Sequence, residues 1–386
     1  MDSKKRRLRY GMIGGGPSGG VGIIHRNALR LNNEADIVAG AFSRDFEKTK
    51  QMAEEFGIAA DRMYVSHEDM AEKESQRPDC IDFVVICTPN AYHYPAAKAF
   101  IQKGINVACD KPLCLMPEEA KELQELAKKT GSLFCLTHTF TGHLTSREAR
   151  ALYRQGVIGD IRTVVVEYPQ DWLLDALERE TEETKTWRSM PELSGRGASI
   201  GDIGSHMENW VNFVTGLKID KVLANLEALG QGTMLDNNFQ VIVKYNNGAS
   251  GFFWGSQVAI GYDNAFKVML LGEKGTMEFW QEDNNYLILR LRNQPMQRIS
   301  RGSSYCTQDS LKYVRTPAGH PEGLTEAFGN IYRSFCEAIY DKLDGKTVVE
   351  DDYGYPTIDM GVDGVRFFNA CVDSHEQGNT WVKIQK

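Results

Sequence analysis

The apolar run at residues 8–13 ends directly in Gly14-Gly15-Gly16-Pro17-Ser18-Gly19, and this junction constrains the chain more than any other feature. A short apolar run reads as a strand buried on both faces. The glycines after it fit G-x-G-x-x-G at Gly14, Gly16 and Gly19. Glycine is needed there because the chain must turn tightly and bring its backbone close to a pyrophosphate. The helix that follows then meets the anion with free N–H groups and the positive end of its dipole. A lone motif of this kind is weak. Placed after the first strand of an alternating pattern, it predicts a dinucleotide cradle.

The alternation continues. Residues 37–42, 81–87, 106–109 and 133–136 predict four more buried strands, and 45–56 and 117–129 predict helices with Glu and Lys on their outer faces. Strand and helix in turn imply an α/β Rossmann domain with a doubly wound parallel sheet over residues 1–145. Beyond that point strands succeed one another. Residues 238–245 and 249–258 read as a hairpin across Asn246-Asn247-Gly248, and 266–271 pairs with 276–280 across Gly272-Glu273-Lys274-Gly275. Residues 285–291 add a strand, 293–320 read as a long polar loop, and 322–343 and 357–376 as helices. The second domain, 146–386, is therefore expected to be α+β. A large, mostly antiparallel open sheet would serve substrate binding and oligomerisation, with the last helix packing back on the first domain.

Two domains also suit 386 residues, too many for one ordinary core. A net charge of −8 gives no basis for a nucleic-acid partner. The one basic run, Lys4-Lys5-Arg6-Arg7, reads as a solvated tail. No apolar run approaches the roughly 20 residues of a membrane span, and no signal peptide opens the chain. A cytoplasmic enzyme without a membrane partner is the expectation. Eight cysteines without a C-x-x-C pair read as free thiols, and no metal site is expected.

An acidic residue at the end of the second strand would select NAD through the ribose 2′-hydroxyl. Ser43 and Arg44 stand there, with Asp45 next, so NAD and NADP both remain open. Thr88, Pro89 and Asn90 follow the third clear strand, at the carboxyl edge where ligands of open α/β sheets lie, and His93 comes just after.

Three pieces join the cradle: Thr88-Pro89-Asn90 with His93, Asp110-Lys111-Pro112, and Asp202-Ile203-Gly204-Ser205-His206. In this order and spacing the chain resembles the glucose–fructose oxidoreductase / inositol dehydrogenase family (Gfo/Idh/MocA) over nearly its whole length. It departs from the family at Asp110, where the family carries glutamate. The resemblance implies a dehydrogenase that moves a hydride between nicotinamide and a hydroxyl carbon of a sugar, glycoside or cyclitol. It implies that His206 accepts the hydroxyl proton, that Asp202 orients His206 or the substrate, and that Lys111 bonds the reacting oxygen beside the cofactor. On a helix Asp202 and His206, four apart, share one face.

Tyr168, Trp187, Arg188, His320 and Glu322 are further candidates for the substrate pocket, since aromatic faces stack on sugars and polar groups bind hydroxyls. Trp172 is weighed evenly between pocket and core, and His138 and His143 rank lower. Two other functions fit the same fold: a glycosidase-like enzyme that retains its NAD through oxidation, elimination and reduction, and a non-catalytic dinucleotide-binding regulator. A dimer or tetramer is expected, since one face of the second sheet has no evident helical cover.

Overall fold

The computed structural model describes residues 6–16, 20–179, 187–230 and 233–385. Gly19 of the cradle motif, with Pro17 and Ser18, lies outside the described residues, as do Lys4 and Lys5 of the basic run. Five parallel strands form the first sheet: β1 (Leu8–Gly14), β2 (Ala35–Ala41), β3 (Phe83–Cys87), β4 (Asn106–Cys109) and β5 (Phe134–Leu136). Their order is β2-β1-β3-β4-β5, so the winding direction reverses between β1 and β3. That reversal opens the crevice in which ligands of such sheets lie. Phe83, Val84, Val85 and Ile86 of β3 are fully buried, as a strand with helices on both faces must be.

Local chemistry sets the helices between the strands. Asp45 caps the helix Phe46–Glu55 by accepting the Glu47 N–H at 3.0 Å. Pro117 opens the helix Pro117–Thr130, and Gly131, at φ 70°, ends it. The helix His67–Ser75, capped by Ser66, was not foreseen from its weak apolar periodicity.

Nine strands form the second sheet: β6 (Ile161–Pro169), β7 (Ile219–Glu227), β8 (Asn238–Tyr245), β9 (Ser250–Ser256), β10 (Lys267–Gly272), β11 (Gly275–Trp280), β12 (Tyr286–Leu291), β13 (Gln297–Ser300) and β14 (Val382–Lys383). Their order is β13-β12-β11-β10-β6-β9-β8-β7-β14, and only β6 and β9 run parallel. The helices Leu144–Arg154, Ser205–Thr215 and Ile358–Glu376 pack on one face. On the other, Ile242 and Phe252 are each 43% exposed.

The expected loop over 293–320 is more ordered than its composition suggests. It contains β13 and the short helix Gln308–Leu311. Buried Arg301 pins it with bonds to Asn285 Oδ1 at 2.9 Å, Thr316 O at 3.0 Å and Glu322 Oε1 at 3.0 Å. Because Glu322 is tied into this clamp, the next helix begins two residues later than expected, at Leu324. That helix, Leu324–Leu343, crosses back to the first sheet. Phe328, Ile331, Phe335 and Ile339 pack with Leu8, Tyr10, Phe83 and Val85 in one core. No described helix is long and apolar enough to cross a membrane.

Phe335 is fully buried, edge-on to Phe83 at 5.6 Å and to Tyr355 at 5.4 Å. Phe335→Ala is expected to cost about 3–5 kcal/mol in urea unfolding. A loss below about 1 kcal/mol would show that the returning helix is not part of the first sheet's core.

Candidate active site

The glycine turn is built for a close approach. Gly14 and Gly15 have φ of +79° and +69°, and a Cβ on Gly14 would sit 2.6 Å from the Cys87 carbonyl oxygen. One on Gly16 would lie 3.0 Å from the Phe42 carbonyl, and one on Gly22 would lie 2.5 Å from the Gly15 Cα. Helix Gly20–Asn32 therefore packs its first turn against the glycine turn, where free helix N–H groups can meet an anion. Buried Arg26 braces the turn from below by donating to the Gly15 carbonyl at 3.1 Å. These residues fit a dinucleotide pyrophosphate.

At the end of β2, the Ser43 Oγ accepts the Asp45 N–H at 3.1 Å, Arg44 is exposed, and Asp45 is engaged as the cap of the helix Phe46–Glu55. Past β3, Pro89 and buried Asn90 start a single 3-10 turn. His93 is fully buried, its ring nitrogens 2.7 Å from the Pro112 carbonyl and 2.9 Å from the Thr88 carbonyl. It sits between the loops after β3 and β4, and its single N–H when neutral donates to one of these two carbonyls.

Asp110 faces inward. Its Oδ1 accepts from Thr137 Oγ1 at 2.8 Å and lies 3.1 Å from His25 Nε2, while His25 Nδ1 lies 2.5 Å from the Tyr332 hydroxyl. Burial opposes the charge, but His25 and Thr137 hold the carboxyl below its usual range. The shorter acid thus ties the end of β4 to three other elements.

Lys111, the next residue, turns the other way. Its Nζ donates to the Asp202 carbonyl at 2.9 Å and forms an ion pair with Asp202 Oδ1. Gln257 Nε2 donates to Asp202 Oδ2 at 2.8 Å, and Gln257 Oε1 accepts from Ser199 Oγ at 2.6 Å. Against the cost of burial, the charges of Lys111 and Arg188 pull the Asp202 carboxyl down to about 2. Asp202 sits in a π-helical turn, Ile200–Gly204, and His206 in the first turn of the helix Ser205–Thr215. Such a turn is frequent at functional sites. It breaks the simple i,i+4 relation expected of a regular helix: the Asp202 carboxylate bonds Lys111 and Gln257, not His206. Asp236, fully enclosed, accepts the N–H groups of Ala198 and Ile200 at 2.7 Å each and so anchors this turn, and burial lifts its own carboxyl to about 6.

The His206 ring lies among aromatic neighbours, 4.8 Å from Phe140 and 5.0 Å from His138 between centroids. Burial first, then the Lys111 charge and His138, hold it well below the usual histidine range. His206 Nδ1 lies 3.3 Å from His138 Nδ1.

Lys111, Asp202, Ile203 and His206 line one cavity of about 310 Å3 together with Tyr168, Gln170, Trp172 and Arg188. The Tyr168 hydroxyl and Gln170 Nε2 both donate to Asn264 Oδ1, at 2.8 and 2.6 Å, and Trp172 Nε1 donates to Gln170 at 3.1 Å. The Arg188 guanidinium lies 5.6 Å from the Trp172 ring and 4.5 Å from that of Trp187, which stands behind it outside the lining. His320 and Glu322 do not join this group. His320 is exposed and Glu322 is consumed by the Arg301 clamp, a buried pair that outweighs any pull toward a pocket. His143 stacks on Phe140 in the core, and burial lowers it to about 4. Sequence reasoning missed Gln257 and Asp236 and ranked His138 low. No local pattern marks any of the three, because each reaches the site from a distant segment. Among the described residues no group of three or more His, Cys, Asp or Glu is arranged for a metal ion.

Comparison with known proteins agrees with this architecture. Residues 8–138 match the oxidoreductase family with an NAD-binding Rossmann fold, and 146–278 match the GFO/IDH/MocA C-terminal domain. The uncharacterized oxidoreductase YfiI of Bacillus subtilis (strain 168) is 33% identical over 381 residues, 98% of this chain and 97% of the relative. D-glucoside 3-dehydrogenase of Escherichia coli (strain K12) is 24% identical over 364 residues, 89% of this chain and 97% of the relative. An inositol dehydrogenase homolog of Azotobacter vinelandii, complexed with NAD+, superimposes with a TM-score of 0.93 at 32% identity, over 98% of this chain and 97% of that one. In complex with NADH and myo-inositol the TM-score is 0.89 at 31% identity, over 98% of both chains. The chain belongs to the Gfo/Idh/MocA oxidoreductase family and carries that family's NAD-binding Rossmann domain.

Proposed function

We propose that the protein interconverts a secondary hydroxyl and a ketone on a sugar, glycoside or cyclitol, using NAD as its redox partner. One observation carries this reading: Lys111 converges with Asp202 and His206, far from it in sequence, on one cavity at the carboxyl end of the first sheet. The relatives named for D-glucosides and inositol support a polyol ring as substrate.

NAD+ held on the glycine turn supplies the hydride acceptor. The chain's own residues handle binding and the proton. Lys111 Nζ has three donors and spends two on Asp202, so one remains for the substrate oxygen, where it stabilises developing alkoxide charge. Asp202 holds the lysine in place and, as an anion, balances its charge. His206 is neutral at physiological pH and takes the hydroxyl proton at the ring nitrogen it presents to the cavity. The Trp172 face suits the apolar C–H face of a ring, and Gln170 and Arg188 suit its remaining hydroxyls. Closely packed Phe140, Tyr168 and Phe266 keep water from the histidine's far side.

A panel of inositols, sugars and glycosides, with NAD and with NADP, is expected to give net reduced nicotinamide with at least one polyol. Lys111→Ala and His206→Ala should each lower kcat/KM by about 10²–10⁴-fold and leave dinucleotide affinity within a few-fold. No accumulation of reduced cofactor with any substrate, or wild-type turnover by both variants, would remove the proposal.

We further propose that a second copy of the chain covers the open face of the second sheet. Ile242 of β8 and Phe252 of β9 are direct cross-strand neighbours, and both stand in solvent on a face that no helix covers among the described residues. Light scattering should show a dimer or tetramer that Ile242→Lys with Phe252→Lys dissociates. A wild-type monomer at all concentrations would contradict it.

A further inference from the structure

His206 and His138 approach each other through the same ring atom. Their Nδ1 nitrogens are 3.3 Å apart, with the rings nearly perpendicular at 85°. Two N–H groups cannot face each other at that distance, and two lone pairs would leave both nitrogens buried without a donor. One proton therefore lies between the rings, and the residue that carries it decides what the other nitrogen of each ring can do.

Two arrangements satisfy the contact. If His138 donates, His206 Nδ1 is the acceptor and its Nε2 bears hydrogen, so the nitrogen left for the cavity cannot take a proton. If His206 donates from Nδ1, its Nε2 holds a lone pair and is a base. Among the described residues His206 Nε2 has no protein hydrogen bond, and His206 lines the cavity. Asp202, the other candidate to orient the imidazole, is occupied by Lys111 and Gln257. His138 is thus the polar group in position to choose the tautomer.

We propose that His138 is a positioning residue that holds His206 as the Nδ1–H tautomer, so that His206 Nε2 is the atom that receives the substrate hydroxyl proton. This rests on the dehydrogenase reading above for the identity of the proton donor. In the oxidation direction the hydroxyl O–H breaks and an Nε2–H bond forms. The Nδ1–H stays in place, and its bond to His138 becomes charge-assisted when His206 becomes an imidazolium. That bond is then stronger in the transition state than in the ground state, which is the condition for accelerating the step. Burial, then the Lys111 charge, holds His138 down to about 3, so it faces His206 as a neutral ring with one nitrogen free to accept. Its place is fixed by the chain around it: it follows β5, and its carbonyl accepts from Thr141 Oγ1 at 2.8 Å.

Two measurements test this. In histidine-selectively 15N-labelled protein with NAD+, long-range 1H–15N correlation should show His206 with a protonated Nδ1 and an unprotonated Nε2. In kinetics, His138→Leu should lower kcat by about 10²-fold, with KM and NAD+ affinity within a few-fold of wild type. His138→Asn, whose Oδ1 can still accept the Nδ1–H, should recover most of that loss. A wild-type His206 protonated at Nε2 would overturn the proposal. So would an asparagine variant as slow as the leucine one, which would reduce His138 to packing. The tautomer is read without turnover, so it is decided even for a protein that oxidises no polyol, the result that would sink the dehydrogenase reading instead.

Discussion

The Lys111–Asp202 ion pair joins two parts of the protein that share no strand. Lys111 leaves the end of β4 in the first sheet, and Asp202 lies in the turn that leads into a helix on the second. Their side chains are only 18% and 21% exposed, so each charge depends on the other for compensation. Removing one partner of such a pair strands the other at a cost of about 3–5 kcal/mol. Much of the surrounding structure keeps the pair in register. Gln257 holds the second carboxylate oxygen, Asp236 anchors the turn, and His93 fixes the loops on the lysine's side.

Much of this was readable from residue order because it is local. The glycine turn, the strand–helix alternation and the two hairpins are each set by neighbours within a few residues, and they appear where their patterns lie. The long-range contacts were not readable. Arg301 turns a polar stretch into an ordered clamp by collecting carbonyls from residues 316 and 317. It thereby takes Glu322 out of contention for the substrate pocket. His138 looked ordinary because its partner lies 68 positions away. Asp202 and His206 share a short motif, yet the π-helical turn between them sends the carboxylate to Lys111. Periodicity alone cannot show an extra residue in a turn.

The chain path explains why the two sheets behave as one support. The helix Leu324–Leu343 leaves the second sheet and covers one face of the first, bringing Tyr332 to His25 and so to Asp110. The residue next to Lys111 is therefore held by three segments: the helix after β1, the residue after β5, and this returning helix. Aspartate in place of glutamate shortens the reach at position 110 by one methylene, and buried His25 lies at hydrogen-bond distance from it. Asp110 holds this loop through His25 and Thr137, while Lys111 faces Asp202.

The most direct test is a crystal structure of the protein with NAD+ and a polyol that it turns over. The expected result is a pyrophosphate on Gly14–Gly16 and one substrate hydroxyl oxygen at about 2.6–3.2 Å from both Lys111 Nζ and His206 Nε2. A dinucleotide seated away from the glycine turn, or a polyol whose hydroxyls reach neither side chain, would contradict it.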